Sequence, residues 1–103
     1  MLLLLAETPT YGYDLLERLK TFGFPRDPGG TYRILHALEH DRLIRVRTLP
    51  SAAGPDRLVY HVTKMGRHEL DESALRLRST RTEVGRFLHR HATLASASRD
   101  RER

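Results

Sequence analysis

Apolar and polar positions follow two different periods along the chain, and the switch between them divides it. Residues 1–7 open with the apolar run Leu2 to Ala6, which reads as a short helix broken by Thr8-Pro9-Thr10. Thr10 is a candidate N-cap for a second helix over residues 11–21, with Asp14 placed to favour its positive end. Gly12, Leu15, Leu16, Leu19 and Phe22 recur at helical spacing, Asp14, Glu17, Arg18 and Lys20 take the other side, and Gly23 ends the helix. Asp27-Pro28 offers a capping carboxylate followed by proline at the first helical position, so a third helix runs to about Asp41. Ile34, Leu35 and Leu38 form its expected inner face, while Arg33, His36, Ala37 and His40 point elsewhere.

The period then falls to two. From Leu43 to Leu49, Ile44 and Val46 alternate with Arg45 and Arg47; from Leu58 to Val62, Leu58, Tyr60 and Val62 alternate with Val59 and His61. The turn-rich stretch Pro50-Ser51-Ala52-Ala53-Gly54-Pro55-Asp56 joins them, which predicts a β-hairpin with an exposed tip. After Thr63, a good N-cap, the helical pattern returns. Leu70, Ala74, Leu77, Arg81, Val84, Leu88 and His91 follow at alternating spacings of four and three, a heptad stripe interrupted by Arg81. Ser79-Thr80 and Gly85 weaken the helix and predict a bend or break near residue 80.

Three helices, a hairpin and a long helix give a mostly α protein with a small β-hairpin. The order is that of a winged helix-turn-helix domain, residues 1–64, with a C-terminal dimerisation helix, 65–95, and a polar tail, 96–103, expected to be disordered. A helix fits the major groove of duplex DNA, and a hairpin can follow the adjacent backbone. Leu75 and Phe87 lie off the heptad stripe, so the last helix has apolar residues on more than one side. A helix so patterned has more than its own domain to bury against. Leu70, Ala74, Leu77, Val84, Phe87 and Leu88 are therefore the candidate homodimer contacts.

Charge adds less than it first promises. The net +5 suits a polyanionic partner, yet residues 1–62 carry only +1 and residues 63–103 carry +4. The near-neutral N-terminal part leaves a second reading open, a winged-helix module that binds protein rather than specific DNA.

Particular residue runs carry a family resemblance. Leu2 to Ala6, Pro9-Thr10-Tyr11-Gly12-Tyr13, Asp27-Pro28-Gly29-Gly30-Thr31-Tyr32-Arg33-Ile34-Leu35-His36-Ala37-Leu38-Glu39, Asp41-Arg42-Leu43-Ile44 and Tyr60-His61-Val62-Thr63-Lys64-Met65-Gly66-Arg67 together resemble the PadR family of transcriptional regulators. The resemblance covers about residues 2–70. It implies that Tyr32 and its neighbours at the start of the third helix enter the major groove and that the wing touches backbone or minor groove. Candidate DNA contacts are thus Tyr11, Gly29, Gly30, Thr31, Tyr32, Arg33, His36, Arg45, Arg47 and Arg57. Where the family commonly has Pro-Gly-Thr-Leu-Tyr, this chain has Gly30 and Thr31 in place of Thr and Leu, and Arg42 stands at a common glycine. The resemblance also implies a repressor with a palindromic operator and a possible small-molecule effector. Members that hold effectors between subunits use tryptophan, which this chain lacks.

Other chemistries find little footing. With no cysteine, disulfides and thiolate zinc sites are out, which fits the reducing cytoplasm. His36 and His40 have the i, i+4 spacing of a helical metal pair, and His89 and His91 add two imidazoles, but no carboxylate completes a site. No nucleophile–base pair or phosphate-cradling glycine loop is present, so neither an enzyme nor a cofactor is expected. No apolar stretch approaches the roughly 20 residues of a membrane span.

Overall fold

The computed structural model describes residues 1–102. In chain order it has α1 (Leu2–Glu7), β1 (Thr10–Tyr11), α2 (Gly12–Thr21), α3 (Pro28–His40), β2 (Ile44–Leu49), β3 (Arg57–Val62) and α4 (Lys64–Glu102). This is the winged-helix order, with one strand more than the hairpin expected. Thr10 is not the N-cap of α2: it lies in β1 opposite Tyr60, is buried, and its hydroxyl donates to the Asp14 carboxylate at 2.6 Å. Tyr11 occupies the cap position instead, with no side-chain bond to the helix. The sheet order is β1-β3-β2, antiparallel throughout, so β3 is the central strand.

The chain divides into two compact units, the first spanning Met1–Leu70 and the second beginning at Asp71. The core of the first unit is small and nearly all leucine. Leu5, Leu15, Leu35 and Ile44 are fully buried, joined by Leu4, Leu19 and Tyr60. They come from α1, α2, α3, β2 and β3, so the three helices and the sheet all meet there. Two expected core positions turn outward: Phe22 is 61% exposed and Ile34 is 50% exposed. Thr31 takes the inward place on α3, one turn before Leu35. Phe22 sits at the helix end, where it stacks on Phe24 at 6.1 Å rather than reaching the core.

Arg18 does more than solvate the outer side of α2. Its guanidinium donates to the Thr8 and Leu4 carbonyls, tying α2 to the C-terminal end of α1, where the Leu4 carbonyl also accepts from the Thr8 N–H. The junction between β3 and α4 is tied just as closely. The Thr63 hydroxyl accepts from the Gly66 N–H at 3.0 Å, the expected N-cap, and donates to the Arg42 carbonyl at 2.7 Å. Gly66 is required by the same contact, because a Cβ there would collide with the Leu43 carbonyl.

The second unit is helix alone. Where a bend was expected near residue 80, α4 runs unbroken; Thr80 and Thr82 donate their hydroxyls to the Arg76 and Arg78 carbonyls and remain in the helix. The helix also continues through 96–102, where the sequence suggested a disordered tail; Arg103 lies outside the described residues.

Arg42 turns the chain from α3 into the wing with φ 61°, a left-handed conformation in which a Cβ is strained. Arg42→Gly should therefore stabilise the fold by about 0.5–1 kcal/mol. An increased denaturant midpoint at unchanged slope would show it, and an unchanged or lower midpoint would contradict the strain.

Candidate nucleic-acid interface

The start of α3 is built from the Asp27 side chain upward. Its Oδ1 accepts from the Gly30 N–H at 3.0 Å, closing the first turn. A Cβ at Gly30 would fall on that carboxylate, so the second glycine is explained by the cap itself, without any need for a ligand to approach the backbone. Gly29 meets open space. Thr31 was a candidate DNA contact, but it is only 6% exposed and its side chain serves the core. Thr31 and Leu35 anchor the helix, and Arg33, His36, Ala37 and His40 are left on its exposed surface.

Tyr32 is divided between surface and junction. It is 40% exposed, yet its ring and hydroxyl lie so close over Gly12 that any Cβ there would overlap them. Gly12 is thus a seat that lets the start of α3 approach the start of α2. Tyr32 and Glu39 also lie near the Tyr60 hydroxyl, whose pKa burial raises above 10.0 before those two neighbours raise it further.

The wing has two unlike faces. Residues directly opposite in an antiparallel pair share a face. Thr10, Tyr60 and Val46 therefore point inward, where Val46, Leu58 and Tyr60 face Tyr32, Leu35, His36 and Glu39 of α3 across a cavity of about 240 Å³. Arg45 opposite His61, Arg47 opposite Val59, and Tyr11 opposite Val59 occupy the outer face. Arg57 is held against β1, its guanidinium 4.5 Å from the centre of the Tyr11 ring. The structure thus brings Arg45 and Arg47 together on one face and keeps the exposed surface of α3 on the other side of the sheet.

Two residues named in the sequence reading were not among its candidate contacts. Tyr13 is 60% exposed beside the start of α3, with the Arg26 guanidinium 5.2 Å from its ring centre, and Tyr60 links wing to core. The Tyr11-Gly12-Tyr13 spacing carried the first signal, since adjacent strand and helix geometry sends those two rings in different directions. Among the described residues no group of three or more His, Asp or Glu could hold a metal, and no helix is long and apolar enough to cross a membrane.

Comparison with known proteins fits this geometry. The sequence model of the transcriptional regulator PadR-like family matches residues 1–72. The chain belongs to that family. A PadR-like transcriptional regulator from Bacillus cereus is 29% identical, with 84% of this chain and 85% of that one aligned and a TM-score of 0.75. A conserved protein described as a potential transcriptional factor is 30% identical over 92% of this chain and 86% of its own, with a TM-score of 0.82. Bacillus subtilis PadR, solved in complex with operator DNA, shares the fold at 24% identity and TM-score 0.64, over 71% of this chain and 42% of that one. No curated protein matches the sequence. PadR-like proteins are transcriptional regulators, and this chain has their winged helix followed by a long C-terminal helix.

His61 on the outer wing is partly buried, and its pKa is held below 6.5 first by burial and then by Arg47 and Arg45. A histidine harder to protonate in the folded chain takes up more protons when unfolded. Its stabilising contribution is full above 6.5 and is lost as pH falls through that value towards the lower folded one. In urea titrations at pH 7.5 and 5.5, His61→Gln should lose less stability on acidification than the parent. An identical pH response in both proteins would refute this.

Proposed function

We propose that this PadR-like regulator is a homodimeric repressor that binds a roughly palindromic operator with α3 in the major groove. The observation that carries this reading is the division of α3. Thr31 and Leu35 fix one side in the core, and the capped N-terminal half presents Arg33, His36 and part of Tyr32 to solvent. Arginine reads guanine O6 and N7 as a bidentate donor. His36 adds a donor or an acceptor nearly one turn further along. Gly29, which meets open space, leaves room for a phosphate beside the helix start, and Tyr11, Arg45, Arg47 and Arg57 serve backbone contacts from the wing side. Bacillus subtilis PadR was solved with operator DNA, which supports the same class of partner here.

Dimerisation through α4 follows from its surface. Leu77, Val84, Phe87 and Leu88 are 51–70% exposed in the isolated chain, and Leu70 and Ala74 begin the same stripe. An exposed apolar heptad stripe of this length, interrupted at Arg81 and flanked by Phe87, is the usual mark of a helix–helix contact. A two-fold dimer places two copies of α3 on successive major-groove faces, about one helical turn apart. An effector that changes the relation of the two wings would then tune operator affinity.

The near-neutral charge of residues 1–62 favours a second reading, a winged helix that binds protein. A gel shift on the gene's own promoter at rising salt separates the two. Specific retardation is expected, weakened about tenfold or more in Arg33→Ala, the size of a lost bidentate base contact. Absence of specific retardation at every salt concentration would leave only the second reading. In sedimentation the parent should run as a dimer at micromolar concentration and Leu88→Glu should run as a monomer. A parent that sediments as a monomer refutes the dimer.

A further inference from the structure

We infer that the base of the wing, on the face turned away from α3, holds a single tetrahedral oxyanion of the phosphate or sulfate type in a pocket walled by Arg45, His61 and Arg67. Three elements supply those groups: β2, β3 and the first turn of α4. The fold itself makes them converge. Arg45 and His61 stand directly opposite each other in the antiparallel pair, one step from the Ile44–Val62 pair at the hairpin's base. Gly66 seats α4 against the Leu43 carbonyl, and the next residue, Arg67, thereby reaches the same corner. Leu5, Ala6, Pro9 and Val62 make the rest of the lining, which contains no acidic side chain.

Basic groups set opposite one another on a sheet repel. His61 registers that repulsion, since Arg47 and Arg45 add to burial in holding its pKa below 6.5. Among the described residues Arg45 joins no salt bridge that would relieve it. An anion in the pocket replaces repulsion with charge-assisted hydrogen bonds from both guanidinium groups and from the imidazole once it is protonated. The size and shape of the pocket narrow the anion. Organic ligands occupy sites of about 300–1,000 Å³, whereas this pocket, of about 190 Å³, has room for one small anion and a few waters. Donors arriving from three elements suit a tetrahedral anion, which accepts in several directions, better than a planar carboxylate. The pocket lies at the far end of the hairpin from the Leu49–Arg57 pair near its tip. Arg45 is the one wall residue shared with the DNA contacts proposed above, and its five N–H donors can serve both anions. The inference therefore does not rest on operator binding.

Sulfate is the probe, because it stays a dianion across the pH range used. Titrating it into the full-length protein at pH 5.5, with sodium chloride adjusted to hold the ionic strength constant, separates binding from screening. The Ala6 and Val62 amide resonances should shift saturably with a midpoint in the low millimolar range. The midpoint should weaken about tenfold in Arg45→Gln and in Arg67→Gln, the size of a lost charged hydrogen bond, and stay unchanged in Arg99→Gln. Raising the pH to 7.5 removes the imidazolium and should weaken the midpoint in the parent but not in His61→Gln. Circular dichroism confirms that the variants are folded. Shifts reproduced by chloride alone, no saturation below about 0.1 M sulfate, a midpoint unchanged in either arginine variant, or a parent midpoint indifferent to pH would each overturn the site. A saturating amount of promoter DNA should leave the sulfate shifts in place. Their loss on adding DNA would give the pocket to a backbone phosphate and overturn the inference.

Discussion

The structure depends on the packing of Tyr60 at the centre of the sheet. A two-stranded hairpin has no core of its own and is marginal in water. Here β3 is central, paired with β2 on one side and with the two residues of β1 on the other, and Tyr60 projects from it into the leucine cluster. That single inward position joins the wing to α1, α2 and α3. Because Tyr60 also lies beside Tyr32, the same packing fixes where the start of α3 stands relative to the wing. A reading helix needs such a fixed platform, since base-edge hydrogen bonds tolerate little displacement.

The larger pieces of this architecture were legible because they obey simple periods. The Asp27-Pro28 start, the Thr63 cap and the alternation through β2 and β3 are local signals, and the structure places each close to where the pattern put it. The strand β1 was not legible, since two residues cannot establish a period and Thr10 mimics a cap. Its pairing with β3 is a long-range event that local chemistry does not announce. The outward turn of Ile34 has a similar origin. Tyr32 must reach Gly12, and that rotates α3 so that Thr31 and Leu35, rather than Ile34, face the core. The helix runs on past residue 80 because Ser79 and Thr80 cost only tenths of a kcal/mol each and Gly85 about 1, too little to interrupt a helix of 39 residues.

The candidate interface was legible in part. Arg33 and His36 are exposed where the resemblance placed them, but Thr31 is buried and Gly30 is accounted for by its cap. The arginines of the wing could be counted in the sequence, yet only the register shows Arg45 and Arg47 on the face away from α3 and Arg57 drawn to Tyr11. Charge distribution is thus secondary to placement. In the proposed complex, a domain whose first 62 residues carry a net charge of only +1 would obtain affinity from geometry and from two-fold repetition more than from a general positive field.

The central claim is that the exposed side of α3 reads base edges in the major groove, once in each half of a two-fold site. Methylation interference at guanine N7 tests it most directly, because that atom lies only in the major groove. The account predicts two clusters of interfering guanines about 10 base pairs apart, with one guanine per cluster losing its effect in Arg33→Ala. Binding indifferent to N7 methylation across the whole operator would contradict it.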